Sequence, residues 1–236
     1  MPNRPYVLLS VATSIDGYID DASTTRLVLS NEADLDRVDE VRAGCDAILV
    51  GARTIRRDNP RLLVRSAARR AARLARGLPA SPVRVTLTRT GDLDPAARFF
   101  AAGPARASGG AARPLIYVPE PVAGRTIARL GSLATVIAAG EMVDLAAVLT
   151  DLAARGVGRL MVEGGARVLA EFIEAGLADE LQLVIAAHLV GDMAAPRFGS
   201  GANVGRVPPI RIRLAEVRQL GDVVLLRYLL SEHAAG

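Results

Sequence analysis

Short apolar runs separated by helix-spaced segments fill the middle of this chain, and that alternation restricts the folds open to it. Ala47–Gly51 is a continuous apolar run, β-branched at Ile48 and Val50, and reads as a buried strand. Leu115–Val118, Thr135–Ala138 and Leu160–Val162 repeat the pattern. Among them, Leu145, Val148, Leu149 and Leu152 fall at i, i+3, i+4 and i+7, one face of a helix, with Gly156 in the stop position. Thr126–Leu130 reads as a shorter helix, and Ala166–Ala175 as another with Gly176 as its cap. Strands that alternate with helices imply a largely parallel sheet, because parallel neighbours need a crossover between them.

The ends of the chain add different elements. Tyr6–Ala12 forms a first strand, and Ser30-Asn31 before Glu32-Ala33-Asp34 opens a helix with acids near its positive end. Leu35, Val38, Val41 and Arg42 carry the helical spacing onward. Pro82–Thr88 is a strand broken by Gly91. Leu181–Leu189, Ile212–Val217 and Val223–Leu229 are strands, and Gly221-Asp222 between the last two predicts an antiparallel edge. Ala101–Arg113, rich in Ala, Gly, Pro and Arg, reads as a surface loop. With no repeat and no linker, residues 1–236 are expected to form one domain.

Composition removes several chemistries. The chain has no Lys, which excludes a lysine Schiff base and a Walker-type phosphate lysine and directs attention to Arg as the phosphate binder. Cys45 is the only cysteine, so an internal disulfide and a thiolate metal cluster are both ruled out, and no metal-ligand spacing or Gly-x-Ser-x-Gly elbow occurs. His188 reads as a core or strand-edge residue, and His233 lies in the tail. No apolar run reaches the roughly 18 residues that span a membrane, and Met1–Pro5 lacks the features of a leader. The expected setting is the cytoplasm. Arg65, Arg69, Arg70, Arg73 and Arg76 crowd one Ala-rich segment of a chain whose net charge is only +4. Without interleaved aromatics for base stacking, a solvated helix or flap is the preferred reading over a nucleic-acid surface.

Three segments carry candidate chemistry. Gly51 through Arg65 follows a buried strand, where a glycine admits a ligand close to backbone and where open α/β sheets bind ligands. Within it Thr54 can donate to a phosphate or amide, and Asp58 can accept from a ribose or amide; an ordinary strand-to-helix turn is the alternative. Val162-Glu163-Gly164-Gly165-Ala166 joins a strand to a helix and leaves backbone N–H groups for a pyrophosphate. It is not a Rossmann fingerprint, because Val168 stands where a third glycine is required. Glu163 either faces the ligand crevice or stabilises the helix start. Ala12-Thr13-Ser14-Ile15-Asp16-Gly17 places small residues at a strand's end, suited to a flat ligand or a plain turn.

Taken together, Ser14-Ile15-Asp16-Gly17, the stretch Arg42–Asp46 leading into Gly51–Arg65, and Glu163-Gly164-Gly165 with Gly176–Leu181 behind resemble the reductase domain of riboflavin-biosynthesis deaminase–reductases. The resemblance runs over nearly the whole chain. It implies a dihydrofolate-reductase-like α/β fold: a mostly parallel twisted sheet, helices on both faces and a C-terminal antiparallel edge. It also implies a homodimer and NADPH-dependent reduction of a phosphoribosylamino-pyrimidine, with hydride delivered to ribose C1′. By position, Ala12, Leu27, Thr54 and Asp58 become cofactor contacts. Gly165, Ala166, Arg167, Val168, Leu169, Ala170 and Glu171 become the run that holds the cofactor's phosphates. Thr25, Arg42, Leu62, Arg65 and Glu163 become substrate contacts, with Glu163 also the candidate acid–base. Arg89, after the strand ending at Thr88, is the residue expected to meet the adenosine 2′-phosphate. The His-x-Glu and Pro-Cys-x-x-Cys signature of a zinc deaminase does not occur. A dihydropterin-type reductase and a non-catalytic nucleotide- or nucleic-acid-binding module are the competing readings.

Overall fold

The computed structural model describes residues 4–23, 27–101, 113–199 and 212–230. By contact density the chain divides into two compact units, one built on Asp39–Met161 and the other on Tyr6–Val38 and Val162–Gly236.

In the first unit the strands from β2 to β5 pair in parallel. β2 (Ala47–Gly51) pairs with β3 (Val83–Leu87), β3 with β4 (Leu115–Val118), and β4 with β5 (Thr135–Ala138), all parallel. The order in space is β5-β4-β3-β2, with β6 (Arg159–Val162) beyond β2. All five residues of β2 are buried, and so are all four of β4, as near-continuous apolar runs require when both faces are covered. The crossovers are helical. α2 (Ala52–Asp58) and α3 (Ala67–Ala75) follow β2, α4 (Glu120–Leu130) joins β4 to β5, and α5 (Leu145–Ala154) leads into β6. α4 begins a turn and a half earlier than the sequence pattern indicates. Pro121 sits in its first turn, where a missing N–H forfeits no helical bond.

The second unit holds β1 (Tyr6–Ser14), β7 (Glu180–Ala186), β8 (Arg213–Leu220), β9 (Val223–Leu229) and α6 (Ala166–Glu174). β1 and β7 run parallel with Leu8 opposite Glu180 and Ser14 opposite Ala186. β7–β9 and β9–β8 are antiparallel, which makes the C-terminal edge. Asp179, from the Gly176–Leu181 segment, sets the start of this pairing. Its carboxylate accepts from Val7 N–H at 2.8 Å, and its own N–H donates to Val7 C=O at 2.9 Å.

α1 (Glu32–Ala43) departs from the sequence reading in what it buries. Leu35, Val38 and Val41 are half-exposed, whereas Asp34, Arg37 and Asp39 are the most buried positions. Arg37 pairs with Asp34 at 2.7 Å and donates to Gln182, which in turn donates to Glu180 at 2.8 Å. Buried charges are tolerated because each is paired and hydrogen-bonded.

β7 ends at Ala186, so His188 lies outside the strand and is exposed; its backbone C=O accepts from Ile15 N–H at 2.9 Å. Ala102–Ala112, most of the expected surface loop, and His233 lie outside the described residues. Among the described residues, no helix is long and apolar enough to cross a membrane.

Candidate active site

In the first unit the candidate residues lie beyond the carboxyl ends of parallel strands, where ligand crevices form in open α/β sheets. Thr54 is on α2, half-buried, and Asp58 ends that helix with Oδ1 shielded from solvent. Asn59 takes the left-handed conformation at the helix cap, with φ 43°. Leu62 does the same at φ 54° while being only 4% exposed. A buried aliphatic residue held at positive φ is uncommon, and such strain concentrates at ligand sites. Leu62 and Val64 are buried and Arg65 is exposed.

Arg65 is tied to α1 through Asp39. The link is Asp39, 1% exposed and one turn before Arg42, so the two residues neighbour each other on the helix surface. Asp39 Oδ1 accepts from Arg65 N–H at 2.5 Å and lies 3.9 Å from Arg65 Nε. Its Oδ2 accepts from Ser66 N–H at 3.0 Å and from the Arg69 guanidinium at 3.1 Å. Burial raises the Asp39 pKa, but the N–H groups of Arg65 and Ser66 and the Arg69 guanidinium outweigh it and hold it below the ordinary carboxylate value. The group is therefore ionised at neutral pH. Because its folded pKa is depressed, the stability it contributes is present above the ordinary carboxylate pKa and is lost as pH falls through the folded value.

The arginine-rich segment is largely internal wiring. Arg73 is 2% exposed and donates to the carbonyls of Ala43, Cys45 and Pro79 at 2.7, 2.8 and 2.8 Å. Arg70 donates to Val64 C=O at 3.1 Å and to Arg65 C=O. With Arg69 on Asp39, these side chains hold the segment in place and are not presented as a basic stripe.

Arg89 is exposed on a turn just after β3. Thr88 Oγ1 accepts from Gly91 N–H at 3.1 Å, and Gly91 packs so closely on α4 that an added Cβ would lie 2.1 Å from Thr126 Oγ1. Arg56 donates to Asp92 C=O at 2.9 Å, Arg125 to Thr90 C=O at 3.3 Å, and Arg129 to the Asp92 carboxylate at 3.1 Å. The turn is thus fixed from α2 and α4, with Arg89 displayed on it.

In the second unit, Ala12 and Leu27 meet on one apolar cluster formed by Leu29, Val184, Ala186, Val223 and Leu225. Leu27 N–H is held by Asp20 Oδ1 at 3.0 Å. Thr25 lies outside the described residues. The Ser14–Gly17 turn is fastened by Asp16, whose carboxylate accepts from Ser14 Oγ at 2.5 Å and from the N–H groups of Val190 and Gly191 at 3.2 and 2.8 Å. The Ser14 hydroxyl and these backbone donors lower its pKa to about 2.

Glu163 follows β6 directly and is half-buried. Gly164 has φ 125°, and a Cβ there would meet nothing within 4 Å, so open space faces this turn. Gly165 is the N-cap of α6, without a side-chain cap and without an acid in the first turn. By contrast, Ser66 caps α3 and Asp144 caps α5. An uncapped helix start with Arg167 exposed nearby suits an anionic cofactor group, so the donor set fits a dinucleotide phosphate. Leu169 and Ala170 are 1% and 2% exposed and face the core. Glu171 pairs with Arg167 at 2.8 Å. What this run offers to a ligand is therefore mainly its backbone from Gly165 to Val168.

Sequence reasoning missed Asp39 and Arg73. Asp39 did carry a signal, since with Leu35, Val38 and Arg42 it completes an i, i+3, i+4, i+7 stripe on which a carboxylate is out of place. Arg73 carried none within its Ala/Arg segment.

Parallel strands feeding glycine turns at their carboxyl ends, closed by an antiparallel edge, define the dihydrofolate-reductase-like class of α/β fold. The chain belongs to the RibD C-terminal domain family, which it matches over residues 5–226. It is 34% identical to the 2,5-diamino-6-ribosylamino-4(3H)-pyrimidinone 5′-phosphate reductase of Archaeoglobus fulgidus, over 93% of this chain and 95% of that one. It is also 34% identical to the protein of the same name from Methanothermobacter thermautotrophicus, over 95% and 98%. Among solved structures it resembles a pyrimidine reductase-like protein of Corynebacterium diphtheriae, with a TM-score of 0.80, 23% identity and coverage of 98% and 93%. Acinetobacter baumannii RibD matches with a TM-score of 0.77 and 25% identity, over 98% of this chain and 59% of that longer one.

Proposed function

We propose that residues 1–236 form one NADPH-dependent reductase domain that converts a phosphoribosylamino-pyrimidine to its ribitylamino form. The observation that carries this reading is the 34% identity, across almost the full length of both chains, to relatives named as reductases of such a phosphate. An exposed Arg65 tied through Asp39 to α1, the helix that also carries Arg42, favours a phosphorylated substrate over a dihydropterin, because planar guanidinium groups bind phosphate through charge-assisted bonds.

In this reading Arg42, Leu62 and Arg65 hold the substrate, and Thr25 joins them by sequence position. Reduced nicotinamide, when bound, supplies the hydride that ends on ribose C1′. The α6 start from Gly165 to Glu171 binds its phosphates. Ala12, Leu27, Thr54 and Asp58 position the rest of it, and Arg89 reads the 2′-phosphate that separates NADPH from NADH. Glu163 orients the ribose hydroxyls and handles the proton as the ring opens. A homodimer is part of the proposal. Edge strand β8, with Leu214 50% and Val217 60% exposed, is apolar enough to support it.

Asp58→Ala tests the cofactor half. Losing one carboxylate acceptor weakens NADPH binding by about tenfold, and weakens substrate less. Fluorescence titration with NADPH measures this, and an unchanged dissociation constant refutes the assignment.

A further inference from the structure

We infer that Asp39 is a positioning residue for the phosphate-binding Arg65, fixing the segment before α3 to α1, the helix that also carries Arg42. The inference rests on the proposed reading of Arg42 and Arg65 as substrate contacts. Asp39 itself is 1% exposed and does not reach the ligand; it acts through the arginines. Its two oxygens divide the work. Oδ1 takes the Arg65 N–H at 2.5 Å and stands 3.9 Å from Arg65 Nε, so both the backbone and the side-chain root of Arg65 are referred to α1. Oδ2 takes Ser66 N–H at 3.0 Å and the Arg69 guanidinium at 3.1 Å. Ser66 is the N-cap of α3, its side chain accepting from Arg69 N–H at 3.3 Å, so the start of α3 is anchored at the same point.

Geometry explains why a carboxylate serves here. Arg42 follows Asp39 by one turn of α1, and Arg65 is brought to Asp39 from 26 residues away along the chain. Fixing the backbone and side-chain root of Arg65 in advance lowers the rotamer entropy that its guanidinium loses when a phosphate binds. Arg69, 24% exposed against 55% for Arg65, is the counter-cation that keeps Asp39 paired when Arg65 turns to the ligand.

The test compares Asp39→Ala, Asp39→Asn and Asp39→Glu with the unaltered enzyme, using the phosphorylated pyrimidine and its dephosphorylated counterpart as substrates with NADPH. For Asp39→Ala, KM for the phosphorylated substrate rises about tenfold with kcat within about twofold, the size expected for losing one charge-assisted contact indirectly. kcat/KM on the dephosphorylated substrate stays within about twofold on the same grounds, since only phosphate binding is affected. Asp39→Asn keeps the shape and fold but not the charge and shows the same selective loss, whereas Asp39→Glu recovers part of it. Equal losses on both substrates, with NADPH affinity falling in parallel, would mean that Asp39 only holds the fold, and would overturn the inference. So would no change in any variant while the unaltered enzyme still prefers the phosphorylated substrate. An unaltered enzyme that does not distinguish the two substrates would instead remove the phosphate reading, and the role of Asp39 with it.

Discussion

Arg73→Ala lowers the stability of the protein by about 3 to 5 kcal/mol. The guanidinium is 2% exposed and serves three carbonyls, those of Ala43, Cys45 and Pro79. Ala43 ends α1, where the last carbonyls have no partner within the helix. Truncation takes a charged donor from three carbonyls in partly to fully buried surroundings, at about 1 to 3 kcal/mol for each. For a chain of this size each kcal/mol is worth roughly 2 to 4 °C, so the melting temperature falls by about 10 °C. Arg73→Lys recovers only part of this, because one ammonium cannot reproduce a planar fork aimed at several acceptors. Urea or thermal denaturation measures both. A loss below about 1 kcal/mol for Arg73→Ala would place its hydrogen bonds among the ordinary surface contacts.

The second large effect is functional. Arg65→Ala raises KM for the phosphorylated substrate by about 10- to 100-fold, the equivalent of one charge-assisted bond of about 1.5 to 3 kcal/mol. The fold is retained, since the link to Asp39 runs through the Arg65 backbone N–H and through Ser66, neither of which the substitution removes. NADPH affinity stays near its original value. Steady-state kinetics decides the matter: a fall in kcat with KM unchanged means that Arg65 acts on the reacting centre and not on the phosphate.

The parts of the fold that could be read in sequence share a physical cause. Leu115–Val118 and Thr135–Ala138 coincide with β4 and β5, because short apolar runs between crossovers have few other ways to be satisfied. β8 extends to Leu220, beyond the expected end at Val217. On an exposed edge Arg213, Glu216 and Arg218 alternate with apolar residues, and the hydrophobic signal fades before the pairing does. α1 was legible as a helix but not in what it buries, because Asp34, Arg37 and Asp39 are buried through partners that no local pattern reveals. Gln182 lies 145 residues from Arg37, and Arg65 lies 26 from Asp39. The candidate site follows the same division. The glycine turn at Glu163–Gly165 and the segment from Gly51 to Arg65 announce themselves by residue type. The left-handed backbone at Leu62 and the carboxylate contact that ties Arg65 to α1 exist only once the chain has folded.

The decisive measurement is NADPH oxidation by the purified chain, followed with the phosphoribosylamino-pyrimidines with and without the 2-amino group and with dihydrofolate. Turnover is expected with at least one phosphorylated pyrimidine, together with the ribitylamino product, and none with dihydrofolate. Oxidation with dihydrofolate alone, or no binding of NADPH at all, would contradict the proposed function.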